Sequence, residues 1–345
     1  MMKKVTLYLA FVMSGLVLPF ALQAQDPQYT QFYANQPMLN PALTGAGEGP
    51  RVSMNYRAQW VAIPGSFRQI AFAYDQPFFI GKSLHGAGFM IQNDRAGEGN
   101  LSKMDIMGQY SFAIQMGRRG SEHFLRFGIA GGIQQASIDF SKLRFSDQID
   151  LEKGFIRATT EVPFGKARFT PDFQTGLAWY NKNAWVSFSM HHLTEPSKQV
   201  FINPSTTQNT QLPRRYCATA GINIPIGPYA DKERIIVSPA LLFMKQRDFN
   251  QLNLGTYVTI KPIVFGLWLR TNFKNFNKDF MTSDMLAGLV GFKQGIFSIG
   301  YSYDYTISRL TNGISGGSHE IALIVEFEQP RHIRFKHKSM PCPRF

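Results

Sequence analysis

The stretch that decides the fold is Ile296-Phe297-Ser298-Ile299-Gly300-Tyr301-Ser302-Tyr303-Asp304-Tyr305. Its odd-numbered positions carry Phe, Ile and Tyr, whereas the even-numbered positions after the first carry small or polar residues. Side chains on a strand alternate between two faces, so this segment predicts a strand with one apolar, aromatic face and one small, polar face. A strand of a soluble sandwich shows the same pattern, and the segment alone leaves both classes open.

The first 24 residues are typical of a secretory signal peptide. Lys3 and Lys4 form a basic head, residues 5–22 are almost wholly apolar, and Ala24 is a small residue before a cleavage site. Gln25 is therefore expected to begin the mature chain. A retained membrane helix is the alternative, since the apolar run approaches spanning length. Export, together with strands of this two-faced kind, favours a barrel with lipid outside and water inside.

The two-faced pattern recurs in segments separated by turn signals. Fourteen strands are predicted: Val52–Trp60, Phe67–Gln76, Leu84–Asn93, Lys103–Gln115, His123–Gln135, Asp172–Tyr180, Ala184–His192, Arg215–Asn223, Arg234–Lys245, Gln251–Ile260, Ile263–Phe273, Asp284–Lys293, Ile296–Tyr305 and Ser318–Glu328. An even number brings both ends of an antiparallel barrel to one side. We therefore predict an all-β fold, a transmembrane antiparallel β-barrel of about 14 strands over residues 51–329.

The parity of these strands assigns residues to the interior. Four ionisable residues fall on the inward side: Arg126, Arg270, Asp304 and Glu326. A charge facing hydrocarbon costs roughly 2–4 kcal/mol for Arg or Lys near the midplane, so the apolar set must face out. Trp268 also has inward parity. Gly128, Gly131 and Gly132 lie mid-strand, which predicts a bend in the wall or the close approach of an inner segment.

Two irregular regions flank the barrel. Residues 25–50, an N-terminal extension, contain four prolines, which exclude a long helix or strand. One short helical turn is expected over Thr30–Gln36, and we expect the extension to pack inside or beneath the barrel, with a mobile leader as the alternative. Residues 330–345 form a basic C-terminal tail with five Lys or Arg and no acid. This tail is either a periplasmic docking peptide or a solvated segment.

The connections differ in length. Asn181–Asn183, Lys261–Pro262 and Lys293–Gly295 are tight, whereas residues 136–171 and 193–214 are long connections. Outer-membrane barrels have short periplasmic turns and longer outer loops, so the two kinds of connection are expected at opposite ends.

Composition and net charge limit the classes of molecule that this chain is expected to bind. The chain is 44% hydrophobic, 14% aromatic and 17% charged, with a net charge of +13. An exported chain rarely meets nucleic acid, so anionic lipid headgroups, lipopolysaccharide or acidic proteins are the expected partners, with a merely basic surface as the alternative. Cys217 and Cys342 are the two cysteines, and the sequence does not bring them together as a disulfide.

No catalytic or metal-binding constellation is present in the sequence. His191 and His192 are adjacent strand residues expected to face opposite ways, so they should not chelate together. His319-Glu320 lacks the second histidine of the zinc-binding helix motif. Asp147, Asp150 and Glu152 in one loop match no standard calcium spacing. We therefore expect a non-enzyme with no catalytic, cofactor-binding or metal-binding residues.

Several short motifs resemble the PorP/SprF family, in order along nearly the whole mature chain. They are Asp26-Pro27-Gln28-Tyr29-Thr30-Gln31-Phe32, Asn40-Pro41-Ala42, Tyr56-Arg57, Gln59-Trp60, Phe145-Ser146-Asp147-Gln148-Ile149-Asp150, Gly300-Tyr301-Ser302-Tyr303-Asp304-Tyr305, Ser308, Leu310, Gly317-Ser318-His319-Glu320-Ile321 and Cys342-Pro343-Arg344-Phe345.

This resemblance implies an outer-membrane β-barrel of the type IX secretion system, exported through a cleavable signal peptide. Its implied partners are periplasmic ring and motor components and a secreted adhesin or the C-terminal domain of another client, with a role in protein secretion and, in gliding bacteria, motility. Two rivals follow from the residues: a channel for small or hydrophobic solutes, and a secreted soluble β-sandwich adhesin.

Overall fold

The computed structural model describes residues 26–117, 122–150, 154–156, 158–159, 162–163, 168–197, 201–202, 211–227, 235–274, 282–308, 310–328 and 340–341. The predicted signal peptide, most of the basic tail and Cys342 lie outside these ranges. None of the helices within them is long and apolar enough to cross a membrane.

Within the described residues, one antiparallel sheet of fourteen strands forms the wall, and every predicted strand is confirmed. The strands are β1 (Arg51–Gln59), β2 (Phe67–Ile80), β3 (Ser83–Ala96), β4 (Leu101–Met116), β5 (His123–Ser137), β6 (Arg168–Tyr180), β7 (Ala184–His191), β8 (Arg215–Ile222), β9 (Ile235–Gln246), β10 (Phe249–Ile260), β11 (Ile263–Lys274), β12 (Thr282–Gln294), β13 (Phe297–Thr306) and β14 (Ser318–Glu326). A short continuation of β8, Ile224–Ile226, also pairs with β9.

The sheet closes on itself. Each strand pairs with its neighbours in the chain, and β1 pairs with β14 along its whole length, from Arg51 opposite Glu326 to Gln59 opposite Ser318. Closure leaves the wall without a free edge, which is the condition for a sheet to span hydrocarbon. The predicted fold class, an all-β antiparallel barrel with an irregular N-terminal extension, is confirmed.

The inside and outside of the wall follow the predicted parity. On β13, Ile299 is 52% exposed and Tyr301 is 41% exposed, whereas Ser298 and Ser302 are buried. The predicted inward residues Arg126, Arg270 and Asp304 are buried, as is Trp268, and Glu326 is half-buried. Large apolar side chains face outward on every side of the barrel; examples are Ile70, Ile114, Ile129, Phe188, Leu254, Phe265, Leu267, Val290 and Leu323.

Two local predictions differ from the structure. The strand predicted to stop at Gln76 continues through Pro77 to Ile80. Beyond Asp75, β2 pairs with β3 but no longer with β1, and a proline is tolerated where a strand is paired on one side only. The helical turn predicted over Thr30–Gln36 is displaced: the helix, α1, spans Gln36–Leu39 with proline in its first turn.

The two ends of the barrel are unlike. We call the turn side the end with residues 51 and 326 and the connections 81–82, 117–122, 181–183, 227–234, 261–262 and 295–296. The loop side is the opposite end, with connections 60–66, 97–100, 138–167, 192–214, 247–248, 275–281 and 307–317. Both long connections therefore lie on the loop side, opposite the strand ends that lead to the termini.

Candidate functional site: a plug in the barrel lumen

Residues 26–49, which we call the plug, pass through the lumen from the loop side to the turn side. Asp26 lies among residues at the loop-side ends of β4, β8 and β9, and Glu48 lies beside Glu326 at the turn side. Between them are α1 and a 3-10 helix, Pro41–Leu43. Nearly every plug residue is buried, so the segment fills the barrel and does not lie across its mouth.

At the loop side, the Asp26 carboxylate anchors the start of the plug. It accepts hydrogen bonds from Lys103 Nζ at 2.8 Å and Gln246 Nε2 at 3.1 Å, and it lies 3.3 Å from Arg215 Nη1. His192 Nε2 is 2.7 Å from the same carboxylate. These groups come from four separate parts of the wall and its loops, so one plug residue connects them.

His192 lies between two carboxylates. Its Nδ1 is 2.6 Å from Asp172 Oδ2 and its Nε2 is 2.7 Å from Asp26 Oδ2, an arrangement that suits the doubly protonated ring. Burial alone would lower the pKa of His192, but the Asp26 charge and the hydrogen bonds to both carboxylates raise it. Burial would likewise raise the pKa of Asp26, but the charges of His192 and Lys103 hold it well below its usual value.

The prediction that the side chains of His191 and His192 face opposite ways is wrong. β7 ends at His191, and His192 takes a positive φ of 58°, so the alternation stops there and both rings are buried with centroids 6.4 Å apart. His191 faces the backbone carbonyl of Leu39 in the plug, with Nε2 at 3.2 Å. Among the described residues no group of three potential metal ligands forms, and His319 pairs instead with the Tyr301 hydroxyl at 2.8 Å.

Soon after it enters from the loop side, the plug meets a buried ion cluster formed near the loop-side ends of β1, β13 and β14. Glu320 accepts the backbone N–H groups of Thr30 at 2.7 Å and Gln31 at 3.1 Å. Arg57 lies 2.5 Å from Asp304 and 3.3 Å from Glu320, and its Nη1 donates to the Thr30 hydroxyl at 2.9 Å. The arginine pairs with both carboxylates, which share its single positive charge. Glu320 in turn holds the plug backbone, and Asp304 accepts from the Thr30 hydroxyl at 2.8 Å.

This cluster unites motifs that are far apart in sequence. Thr30 and Gln31 come from the first motif of the family resemblance, Arg57 from the Tyr56-Arg57 motif, Asp304 from the aromatic strand and Glu320 from the Gly317–Ile321 motif. Residues from all four motifs thus meet in the lumen. Their shared structural role is to hold the plug to β1, β13 and β14.

Aromatic packing fixes the next part of the plug. Phe32 contacts Trp268 edge-on with ring centroids 5.0 Å apart, and Tyr33 packs against Trp185 and Tyr257 at 6.0 Å and 6.2 Å. Such edge-to-face pairs contribute about 0.5–1.5 kcal/mol each beyond burial. Trp268, which the parity placed on an otherwise polar interior, therefore has an aromatic partner there.

Glycines in the wall make room for the plug. Gly128 on β5 and Gly176 on β6 are directly opposite each other, and the 3-10 helix lies on this pair. A Cβ atom at Gly128 would lie 2.5 Å from Ala42 Cα, and one at Gly176 would lie 2.8 Å from Asn40 Cγ. Of the two reasons considered for the mid-strand glycines, close approach of an inner segment is the correct one at Gly128.

Two side chains fix the plug beside these glycines: Asn40 of the plug itself and Arg126 of β5. The Asn40 side chain accepts from Ala42 N at 2.8 Å and donates to the carbonyls of Leu177 and Phe188 at 3.2 Å and 3.0 Å, so it caps the 3-10 helix and ties it to two strands. Arg126 donates to the carbonyls of Ala42 and Thr44 at 3.1 Å and 2.7 Å. The predicted inward arginine is thus a plug contact.

At the turn side the chain closes the mouth. Asp75 accepts from Gly45 N at 2.7 Å and is paired with Arg51 at 3.0 Å. The backbone N of Met340 donates to Ala46 O at 3.1 Å, and Met340 is 1% exposed. The described part of the C-terminal tail therefore lies directly beneath the end of the plug.

A small cavity remains beside the plug. It has a volume of about 50 Å³ and is lined by plug residues such as Tyr29 and Asn35 and wall residues such as Gln92 and Leu242. The amide of Asn35 is buried there without a hydrogen-bond partner among the described residues. At about 10–15 Å³ each, roughly three to five water molecules fit this space, so the cavity suits water and not a solute of drug size.

The sequence did not predict which groups pair with the buried charges of the lumen. Asp75 and Asp172 lie on strands at inward positions, and their parity was a usable signal for a lumen role. Nothing in the sequence indicated that Asp172 and Asp26 share a histidine.

The model of the PorP/SprF family, type IX secretion system membrane proteins, matches residues 21–325. No curated protein matches the sequence significantly. CdiB from Acinetobacter baumannii is 7% identical with a TM-score of 0.43 over 81% of this chain, which spans 60% of the CdiB chain. The CymD monoaromatic hydrocarbon channel is 12% identical with a TM-score of 0.43, covering 86% of this chain and 93% of that one.

BamA from Haemophilus ducreyi, lacking POTRA domains 1–3, is 7% identical with a TM-score of 0.39, covering 81% of this chain and 71% of that one. At these values the structural likenesses carry no argument about function. The family match is different, because it runs from the end of the predicted signal peptide to β14 and includes the motifs that meet around the plug. The chain belongs to the PorP/SprF family of type IX secretion system membrane proteins.

Proposed function

We propose that this chain is a non-enzymatic outer-membrane component of the type IX secretion system that docks other proteins at its two ends. The observation that carries the proposal is the plug, because its buried contacts with the wall run from Asp26 at the loop side to Gly45 at the turn side. A lumen filled in this way leaves the two ends, and not the interior, as the surfaces that meet other molecules.

The apolar outer face and the unequal lengths of the connections at the two ends support one orientation of the barrel in the membrane. Outer-membrane barrels have longer loops outside and shorter turns in the periplasm. By this rule the loop side faces the exterior. The turn side, where β1 begins and β14 ends, faces the periplasm. The predicted cleavable signal peptide is the route of export in this proposal.

The loop side offers a docking surface for a secreted client. A small hairpin, Ile149–Asp150 paired with Gly154–Phe155, exposes Phe155 at 51% and Ile156 at 58%, with Arg144 5.1 Å from the Phe155 ring centroid. Contiguous exposed apolar surface in a loop is a candidate interaction site. The client would be a secreted adhesin or another protein bearing a C-terminal secretion domain, including adhesins that drive gliding motility, and the turn side would meet periplasmic ring and motor components.

The contacts of the lumen argue against a channel for small or hydrophobic solutes. Such a channel would need an open passage lined by side chains that are free to meet the solute. Arg126 instead binds plug carbonyls, and Arg270 donates to Asn253 on the neighbouring strand at 2.8 Å. The cavity beside the plug is of water size.

Site-specific photocrosslinking in intact cell envelopes tests the docking role. The crosslinker replaces Ile156 on the loop side, Glu48 in the turn-side mouth or, as a control, Leu267 on the outward face of the wall. We expect a secreted surface protein on Ile156, periplasmic secretion components on Glu48 and only lipid on Leu267. Protein adducts at Ile156 and Glu48 no more abundant than at Leu267 would overturn the proposal.

A further inference from the structure

We propose that the C-terminal segment Met340–Pro341 is a latch that restrains the turn-side end of the plug. Met340 is buried, and its backbone N donates to the Ala46 carbonyl of the plug at 3.1 Å. The Pro341 carbonyl accepts from Asn223 Nδ2 at 2.5 Å, directly after the end of β8. Two consecutive residues thus join the end of the plug to the wall.

Asn223 is oriented by its neighbours to make this bond. Its Oδ1 accepts from the Ser238 hydroxyl of β9 at 2.7 Å, so Nδ2 is the side-chain atom that faces Pro341. Its backbone N donates to Asn183 O at 2.7 Å, which fixes the residue against the adjacent connection. The wall therefore presents an amide donor in a set direction, and the proline meets it with the one hydrogen-bonding group that its backbone has.

The Met340 side chain joins the buried apolar cluster of the lumen. That cluster includes Leu43 and Ala46 of the plug together with Ala240 and Leu242 of β9. Met340 is only 1% exposed, so its withdrawal would return a whole methionine side chain to water. We therefore expect the side chain to contribute more to the latch than either hydrogen bond does.

The latch connects the plug to a part of the wall away from its other turn-side hydrogen bonds. Those bonds hold plug residues 44–48 to β2, β4, β5 and β14. Asn223 follows β8, which lies nearly opposite β14 in the closed sheet, and β14 is the strand that leads to the C-terminal segment. The chain thus returns to the plug from the far side of the mouth.

The described contacts of the latch are neutral, which suits a contact that can open. The start of the plug is held differently, because Asp26 meets Lys103 and other buried cations in charge-assisted bonds, which are the stronger class. The plug end also contains Gly45, Gly47 and Gly49, so its backbone can rearrange at little cost. A protein that draws the C-terminal segment away at the turn side would therefore loosen the end of the plug and leave its start anchored. This step rests on the proposed function, in which the turn side meets periplasmic components.

Hydrogen–deuterium exchange with mass spectrometry on the purified full chain tests the latch. The test variants are Met340→Ala, which shortens the buried side chain, and Asn223→Ala, which removes the bond to Pro341 and changes no plug residue. The matched controls are Met54→Ala, on the outward face of β1, and Asn183→Ala, an exposed residue at the same end of the barrel. Heat-modifiable gel mobility in the same detergent checks that all four variants are folded.

The readout is exchange in peptides that cover residues 43–48, where backbone hydrogen bonds close the last turns of the plug. We expect exchange there to become roughly tenfold to a hundredfold faster in Met340→Ala and roughly twofold to tenfold faster in Asn223→Ala. Both controls should exchange as wild type does, and so should residues 26–32 in every variant.

Unchanged exchange over residues 43–48 in either test variant, or an equal change in its control, would overturn the latch. Equal acceleration over residues 26–32 would also overturn it, because the plug would then be held as one unit. The measurement needs no secretion partner, so failure of the latch is distinguishable from failure of the docking role, which the crosslinks at Ile156 and Glu48 report.

Discussion

Replacing Gly128 by alanine is expected to unseat the plug while leaving the outer surface of the barrel unchanged. The new Cβ atom would overlap the backbone N of Ala42 and lie 2.5 Å from Ala42 Cα. Carbon atoms approach comfortably only to about 3.5–4.0 Å, so the plug or β5 must move by about 1 Å. The obstacle is backbone, which cannot rotate away as a flexible side chain can.

The cost has two parts. Inserting a methyl group into a packed interior typically costs about 1–3 kcal/mol. A shift of this size also stretches the bonds from Arg126 to the plug carbonyls, now 3.1 Å and 2.7 Å, and hydrogen bonds to charged groups contribute about 1.5–3 kcal/mol each. Partial relaxation limits the sum, and we expect the free energy of unfolding to fall by roughly 2–5 kcal/mol.

The matched control is Gly288→Ala on β12, where a Cβ atom would meet nothing within 4 Å. Urea unfolding of both variants is measured in the same detergent, with heat-modifiable gel mobility as the signal for the folded barrel. The two curves give the difference in the free energy of unfolding. Tryptophan emission gives a local signal, because Trp268 and Trp185 pack against Phe32 and Tyr33 of the plug. Equal stability of the two variants to within about 0.5 kcal/mol, with unchanged emission, would refute the seating of the plug on Gly128.

Three further outcomes are expected. The folded pKa of His192 is raised, so the stability that His192 contributes is complete below about pH 6.5 and is lost as the pH rises through the folded pKa. The folded pKa of Asp26 is lowered, so the stability that Asp26 contributes is lost as the pH falls through its folded pKa. The thermal midpoint should therefore decrease on the alkaline side, and His192→Gln should remove that decrease; an identical alkaline profile would contradict the anchor. Arg57→Met leaves two buried carboxylates without their cation and should cost about 3–5 kcal/mol in urea unfolding, so a loss below about 1 kcal/mol would count against the ion cluster. Leu267→Arg should destabilise the barrel by about 2–4 kcal/mol in lipid vesicles relative to Leu267→Phe, and equal stability would show that this face is not in hydrocarbon.

The wall could be predicted from the sequence because a two-residue alternation is a local signal. In β13 the parity of ten consecutive residues is enough to assign both the strand and its faces. Boundaries were less accurate where local chemistry misled: Pro77 reads as a strand end, yet β2 continues because the strand beyond Asp75 is paired on one side only. Parity failed at His192 because the strand ends one residue earlier and the backbone turns through a positive φ.

The plug site could be predicted only in part. Composition predicted that the extension forms no long regular element, and parity predicted that Asp304 faces inward. Glu320 has the same parity on β14 as the predicted inward residue Glu326. Their union with Thr30 depends on which part of the extension passes at that depth, and the contacting residues are 290 and 274 positions apart in sequence. No local sequence pattern specifies which plug residue meets which strand. The plug is positioned by its close approach to wall glycines, by aromatic contacts and by buried charges from many strands at once.

Electrical conductance tests the closed lumen most directly. Purified full-length protein, shown to be folded by its gel mobility, is reconstituted into planar bilayers beside a variant that lacks residues 26–49. The intact protein is expected to give no conductance steps, and the variant, where it folds, to give them. Steady conductance through the folded, intact protein would contradict a lumen filled by its own N-terminal segment.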